Sequence, residues 1–475
     1  MRVHFRKSVW IGSQWIKLLG VTLLAICLIG TALHPSTADE INLDVIIEHV
    51  ESTLVDDHVP GAAVAIVIDR KIVLARGFGK NGDGTTVTAQ TAFRLGSISK
   101  AFTALTVLGL VEAGTISLDQ PAAELVPGFG TEAQKAWQTV TLRHLLTHTS
   151  GMPARTPSAS QNASLAEHIA ALADVRPETN PGEQYLYSGA NYLVVAHVLE
   201  AVTGQSYASL LERTVLTPLG VQQKEPSTPG HQYWFLWPRT AESSPAPGRL
   251  ATASLSASVR DMANFLLFQS GDGSWNGETI LNSESMSVMH TGTAQGDGFQ
   301  YGFGWRESEI AGVRAVHHGG ILPNYRSKMV LLPELNAGVV VLTNVSSLLP
   351  FSIRPTSHRL ADEIASYLAG GRLSTPHFSF RTWLLIYWSG LGLILLHQIV
   401  TLVRIFAGRD SAKRPAIAAA TDAVIVAAIL FALPILIGLT WREIMFQTPD
   451  LALWLGAMSV LGLLAAALRF NRLRK

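Results

Sequence analysis

Three apolar stretches near the C-terminal end constrain this 475-residue chain more than any other feature. They run over about 383–403, 416–439 and 451–468, each close to the roughly 20 residues that a helix needs to cross a bilayer. Lipid offers no partner for a stray backbone N–H or C=O, so a spanning stretch of this kind has to be helical. One such stretch could be a buried helix of a soluble protein, but three in succession fit a membrane. The loop after the first carries Arg404, Arg409, Lys413 and Arg414, and the tail, 469–475, carries Arg469, Arg472, Arg474 and Lys475. The remaining loop has only Arg442, offset by Glu443 and Asp450. Because cytoplasmic loops carry the excess of Lys and Arg, the first loop and the tail lie inside and the domain that precedes residue 383 lies outside. Asp422, near the start of the second stretch, reads as an interfacial residue rather than a working intramembrane charge.

The other end agrees. Residues 1–38 open with Arg2, Arg6, Lys7 and Lys17, pass through LLGVTLLAICLIG and close on Ser36-Thr37-Ala38. A basic start, a modest apolar run and small residues at the end describe a secretory signal, or an uncleaved anchor of the same orientation. Cys27, the only cysteine, sits in that run, so the body of the chain holds neither a disulfide nor a thiolate metal site. Bulky Ile26 before it argues against lipid attachment there. The net charge is +1 with no basic stripe, which excludes nucleic acid as a partner. A mean hydropathy of +0.26 is high, and the two ends account for it.

Residues 39–370 have the composition of a soluble mixed α/β domain, and 371–382 form a linker with Gly, Ser, Thr and Pro. AAVAIVID and IVLARGFG, joined at Arg70-Lys71, predict a hairpin. A helix follows, ending near Gly114. Helical patterns lie around 140–148, 164–173, 190–203 and 258–269, and strands return at YGFGWRES, GVRAVHH, RSKMVLLP and AGVVVLTN. A helix at about 358–368 closes the domain. Strands at both ends with helices between them predict an α/β (α+β) fold, one antiparallel sheet flanked by helices with an inserted helical lobe.

Within the first long helix stands Ser97-Ile98-Ser99-Lys100. A spacing of three puts both side chains on one face of the first turn. Free serine is a poor nucleophile, and a desolvated lysine of lowered pKa can take its proton. The helix N-terminus favours negative charge developing beside it. Alone, S-x-x-K is common and usually a solvated or capping pair.

It does not stand alone. LLTHTSGMP (145–153), YSGANY (187–192) and HHGG (317–320) follow in order, with VPGAAVAI, GTISLDQP, SVRDMANF and YGFGW. This set resembles the serine β-lactamase and penicillin-binding-protein family of the class C type, over about 45–370. The resemblance implies that Ser97 is the acylated nucleophile, Lys100 its base partner and Tyr187 the second proton-transfer group. It implies an oxyanion hole from the N–H groups of Ser97 and Gly320, and substrate contacts from Ser188, His317, His318 and Gly319. No cofactor or metal is required. His317 and His318 point to opposite faces of a strand, so at most one faces the site.

Departures from the family pattern bear on substrate. Tyr187-Ser188-Gly189 stands where many relatives read Tyr-x-Asn, and nearby Asn191 is not expected to replace that amide. His317 stands where β-lactamases keep a lysine, and a neutral imidazole anchors a carboxylate weakly. Peptidase or esterase activity is expected ahead of β-lactam hydrolysis. An exported domain of this family on three C-terminal helices also resembles the prodrug-activating peptidases of nonribosomal-peptide pathways, which remove an N-acyl-D-asparagine cap. Asn324 is then a candidate reader of a substrate side chain, or else a turn residue after Pro323.

The expected protein is thus a multi-pass protein of the bacterial inner membrane with its catalytic domain in the periplasm. It acts on a small peptide, acyl-peptide or ester, probed against two alternatives: a non-catalytic penicillin- or peptide-binding sensor, and a transporter, for which three spans are few. An exporter or a second copy of the chain is left open as a partner. His144 and His148, spaced i, i+4, read as packing residues rather than metal ligands because no Glu follows His144. The aromatics of HQYWFLWP read as filling of the helical lobe rather than an acyl groove.

Overall fold

The computed structural model describes residues 41–126, 137–157, 159–242, 246–347, 349, 354–373, 378–409, 415–437 and 440–473. The chain divides into two compact units, Met1–Asp44 and Val45–Lys475. The expected signal or anchor with Cys27 lies outside the described residues, as do 374–377 of the linker, Lys413 and Arg414 of the first basic loop, and the last two residues of the tail.

After helix α1 (Leu43–Asp56) come β1 (Gly61–Ile68) and β2 (Lys71–Gly79), then α2 (Ser99–Glu112). The helical lobe includes α3 (Leu142–Leu146) and α4 (Gly189–Thr203), and α5 (Val259–Gln269) returns the chain to the sheet. There follow β3 (Ala294–Gln295), β4 (Gln300–Tyr301), β5 (Arg306–Ile310), β6 (Val313–Ile321), β7 (Arg326–Leu332), β8 (Ala337–Thr343) and α6 (Thr356–Leu368). The strands form one eight-stranded sheet in the order β2-β1-β8-β7-β6-β5-β4-β3. Its N-terminal and C-terminal halves join where β1 pairs antiparallel with β8, Ala62 opposite Thr343 through Ile68 opposite Ala337.

Both faces of the sheet centre are covered, so β1 and β8 are apolar runs rather than alternating ones, and β7 is buried throughout although it opens on Arg326-Ser327-Lys328. α6 packs against β7 and β8, and α5 against β1, β2 and β8. α2 lies beside α5, with Phe102 and Phe265 stacked at 3.9 Å between ring centroids. Ser258 and Asp261 close a capping box that starts α5. The lobe also holds a hairpin, Gly230–Trp234 with Trp237–Ala241, beside the short strand Val345–Ser346.

Three further helices are long and apolar enough to cross a membrane: Phe380–Phe406 (α7), Pro415–Ile435 and Pro449–Asn471. The second comprises Pro415–Ala427 (α8) and a π turn, Ala428–Ala432, before Leu433–Ile437. A short helix, α9 (Trp441–Gln447), which the sequence pattern did not single out, precedes α10 (Pro449–Leu473). The Trp454 indole donates to Leu391 C=O at 3.1 Å, tying α10 to α7. Asp422 accepts a charged hydrogen bond from Arg469 of α10.

The first of these helices is fastened to the body through a buried carboxylate. Asp57, fully enclosed, accepts from Thr356 Oγ1 at 2.8 Å, Arg359 Nη2 at 2.7 Å and the Phe380 backbone N–H at 2.6 Å. HQYWFLWP departs from its expected place in the core of the lobe. It is the hairpin, and at its tip Phe235 packs on Trp388 of α7 at 4.5 Å. Apolar aromatics satisfy a seam against an apolar helix as readily as a core, and composition does not distinguish the two.

Candidate active site

Residues 95–100 are stitched between two distant parts of the chain. Ser99 Oγ donates to Gly96 C=O at 2.8 Å and accepts from Leu255 N–H at 3.2 Å, while Ser327 Oγ donates to Leu95 C=O at 2.6 Å. Gly96 adopts φ +56°, and a Cβ there would stand 2.8 Å from Ile321 N, so glycine is required both for the left-handed turn and for the close approach. A 3₁₀ turn, Gly96–Ile98, then leads into α2 and leaves Ser97 half-buried above the first α-helical turn.

Lys100 is only 2% exposed. Its Nζ lies 3.3 Å from Ser97 Oγ and 2.9 Å from Thr252 C=O. Thr252 belongs to a π-helical turn, Leu250–Ser254, a local widening of the kind frequent at functional sites. The Tyr187 and Tyr192 rings lie 5.1 and 5.5 Å from Nζ. Burial holds the Lys100 ammonium below the ordinary lysine range. Its charge interaction and hydrogen bond with the Tyr187 hydroxyl oppose the shift, and Arg249 and Arg306 reinforce it. The fold thereby brings Ser97, Lys100 and Tyr187 together with the lysine biased toward its free-base form.

Tyr187 is held from beneath by His148. The two ring centroids are 4.3 Å apart, and His148 Nδ1 accepts from the Ser188 backbone N–H at 3.2 Å. The Asn191 amide contacts the same nitrogen at 2.9 Å and receives Ser150 Oγ at 2.6 Å. Asn191 is therefore occupied inside the protein. Burial, first, and the charges of Lys100 and Arg306 keep the His148 ring far below the ordinary histidine range. Among the described residues no group of three His, Cys, Asp or Glu is placed to hold a metal.

The two strand histidines separate. His318 lies on the Ser97 side, its ring 6.3 Å from that of Tyr187. Its Nδ1 faces Gly319 C=O at 2.8 Å and its Nε2 faces the Tyr301 hydroxyl at 3.1 Å. A carbonyl only accepts, so Nδ1 carries the proton and Nε2 accepts from Tyr301. Burial and the Arg306 charge keep this ring neutral. His317 is on the opposite face, bonded to Ser308 Oγ at 3.0 Å and Lys328 Nζ at 3.0 Å. The lysine-equivalent place facing the site thus belongs to His318, and the assignment of His317 as a substrate contact is corrected.

The same phase corrects the oxyanion hole. Ladder bonds alternate along an antiparallel pair, so one known bond fixes the others. Leu322 N–H donates to Tyr325 C=O at 3.0 Å, and stepping back in twos makes Gly320 with Ser327 and His318 with Met329 hydrogen-bonded pairs. The Gly320 N–H is therefore engaged by β7. The amides of Gly319 and Ile321 point across the opposite edge, which is open because β5 ends at the pair Arg306–His317. Ile321 N–H, beside Gly96, is the strand donor next to Ser97.

Three remaining expectations meet other surroundings. Asn324 is 1% exposed and its amide donates to Ala241 C=O at 2.8 Å, bracing the hairpin, while its Oδ1 has no partner. Ser188 is likewise 1% exposed, and its Oγ has no hydrogen-bond partner within the protein. Gly319 carries no side chain, and a Cβ on it would point away from Ser97 into the His358 ring at 2.6 Å. Arg306 escaped the sequence reading, although it directly follows the YGFGW stretch. Its guanidinium lies 5.9 Å from the Tyr187 ring centroid and 4.5 Å from that of Phe299.

The family model described as beta-lactamase matches residues 46–362. Penicillin-binding protein 4 of Amycolatopsis lactamdurans is 28% identical over 331 residues, which cover 62% of this chain and 84% of that protein. Protein flp of Staphylococcus aureus is 27% identical over 320 residues, covering 64% of this chain and 63% of flp. Among solved structures, the octameric penicillin-binding protein homologue from Pyrococcus abyssi superposes with a TM-score of 0.61 at 26% identity, over 70% of this chain and 78% of that one. A D-stereospecific amidohydrolase from Streptomyces gives 0.53 at 21% identity over 64% and 94%, a likeness of fold alone.

Proposed function

Since the chain belongs to the beta-lactamase family, we propose that it is a membrane-anchored serine hydrolase that forms an acyl-enzyme at Ser97 and works outside the cytoplasm. The observation that carries this reading is the 3.3 Å approach of a buried lysine amine to a half-buried serine hydroxyl. The free-base Lys100 takes the Ser97 proton as Oγ bonds to the substrate carbonyl carbon. Charge building on the carbonyl oxygen is met by the N–H groups of Ser97 and Ile321. Tyr187 passes a proton to the leaving amine or alkoxide as the scissile bond breaks. Water, deprotonated by the same Lys100–Tyr187 pair, then releases the acid and returns the proton to Ser97.

The substrate class follows from what surrounds these groups. The open edge of β6 beyond His317 presents backbone N–H and C=O groups to an extended amide. Arg249 and Arg306 make the site electropositive, while neutral His318 has its ring nitrogens occupied and supplies no cationic anchor on the strand. We read the preferred substrate as an N-acyl-D-amino-acid amide or a cell-wall peptide, with β-lactams turned over poorly. A substrate panel of N-acyl-D-amino-acid amides, their L enantiomers and a chromogenic cephalosporin tests this. Preferential cleavage of the D amides is expected, and turnover confined to the cephalosporin or to L amides would refute the peptidase reading.

A further inference from the structure

The hairpin at residues 230–241 touches two of the three apolar helices, α7 and α10, near one end. Its tip residue Phe235 donates its backbone N–H to Asp450 Oδ2 at 2.9 Å, at the start of α10. Gln232 Nε2 donates to Phe446 C=O at 2.9 Å and Gln447 C=O at 3.3 Å, at the end of α9. Tyr233 meets Phe380 at 5.2 Å, at the start of α7. The charge distribution of the loops assigns all of these helix ends to the extracytoplasmic side. The docking of the hairpin places the catalytic domain at these helix ends, and the lysine and arginine bias assigns them their side.

Around this seam lies a ring of exposed aromatic and cationic side chains. Trp237 is 56% exposed, Phe378 48% and Trp383 37%. The Arg381 guanidinium lies 5.4 Å from the Trp237 ring, which stacks on His58 at 4.7 Å, and Arg239 lies 5.6 Å from Trp234. In water such a group would be a liability. At the level where apolar helices emerge from lipid it is the expected composition, tryptophan among the headgroups and arginine on their phosphates.

We propose that the 230–241 hairpin and residues 378–383 form a collar that seats the catalytic domain on the outer leaflet, with Trp237 among the headgroups and Arg239 and Arg381 on lipid phosphate. The collar rests on the reading of α7, α8 and α10 as membrane spans. It fixes the orientation of the domain, so that the site would face the bilayer at a constant angle instead of swinging on the linker.

Nitroxide labels test it in the full-length protein carrying Cys27→Ser, reconstituted in phosphatidylcholine–phosphatidylglycerol nanodiscs. Trp237→Cys and, separately, Phe378→Cys carry the label at the collar. Leu393→Cys marks the middle of α7 and Glu278→Cys an exposed turn of the body. Power saturation against oxygen and a water-soluble nickel chelate should place both collar labels between the lipid-embedded 393 label and the aqueous 278 label. Collar labels as nickel-accessible as 278, with 393 embedded, would overturn the collar and leave the membrane reading standing. A nickel-accessible label at 393 would overturn both.

Discussion

The Nζ of Lys100 stands 3.3 Å from the Oγ of Ser97, and the same nitrogen is anchored on Thr252 C=O at 2.9 Å. One of its hydrogen-bond directions is thereby fixed by a backbone carbonyl from the helical lobe. The remaining directions are aimed at the nucleophile and at Tyr187, so the proton-transfer geometry exists before any substrate arrives.

This geometry predicts a pH profile. Lys100 is held below the ordinary value of 10.5, mainly by burial, so kcat/KM should rise with pH through a titration below that value. Lys100→Ala should abolish this limb and lower kcat/KM by about 10²–10⁴-fold. A Lys100→Ala enzyme that keeps the limb would assign the titration elsewhere.

His318 and His317 should respond differently to the same substitution. His318→Ala removes a ring beside Tyr187 and leaves Tyr301 without its acceptor, and kcat/KM should fall by about 10–100-fold, the cost of one lost buried hydrogen bond. His317→Ala acts on the far face, at Ser308 and Lys328, and should lower Tm while leaving kcat/KM within about threefold. Steady-state kinetics beside thermal unfolding separates the two, and an equal kinetic loss would contradict the assigned strand phase.

These outcomes mark where sequence reasoning stops. Ser97 and Lys100 were legible from spacing, Tyr187 from its motif, and the closing strands from their apolar runs. The phase of β6 was not, because HHGG reads equally well in either of two registers. The signal was present further back: Ala311-Gly312 is a two-residue turn with φ of +52° and +77° that pairs Ile310 with Val313, and counting from it assigns each N–H on β6. Arg249 and Thr252 reach the site through tertiary packing from the lobe, where no local pattern signals them, whereas His148 lies within the LLTHTSGMP stretch. The aromatic hairpin was misplaced because a seam against apolar helices and a core ask for the same residues.

Acid should destabilise the beta-lactamase-like domain. Burial holds His148, His317, His318 and His358 well below the ordinary histidine value of 6.5. Below that value the unfolded chain binds protons that the folded chain refuses, so stability falls as pH falls. Each of the four contributes about 1.4 kcal/mol per pH unit while it remains neutral in the fold. Thermal unfolding from pH 7.5 down to 5 should show Tm falling steeply below about 6.5, and a flat profile would contradict the burial of these rings.

Asp57→Asn should loosen the joint between the body and the apolar helices without touching the chemistry. The substitution removes the charge that Arg359, Thr356 and the Phe380 amide share, at a cost of about 3 kcal/mol. Tm should drop, while acylation per folded molecule should stay unchanged. Unaltered stability would show that the buried carboxylate is not a fastening point.

The central claim is an acyl-enzyme at Ser97, and intact-protein mass spectrometry after a fluorophosphonate or a fluorescent penicillin tests it most directly. One adduct per chain is expected, mapping to the Ser97 peptide, absent from Ser97→Ala and slowed in Lys100→Ala and Tyr187→Phe. Folded protein that takes up no label at Ser97 from either probe, or takes it up at another residue, would contradict the account.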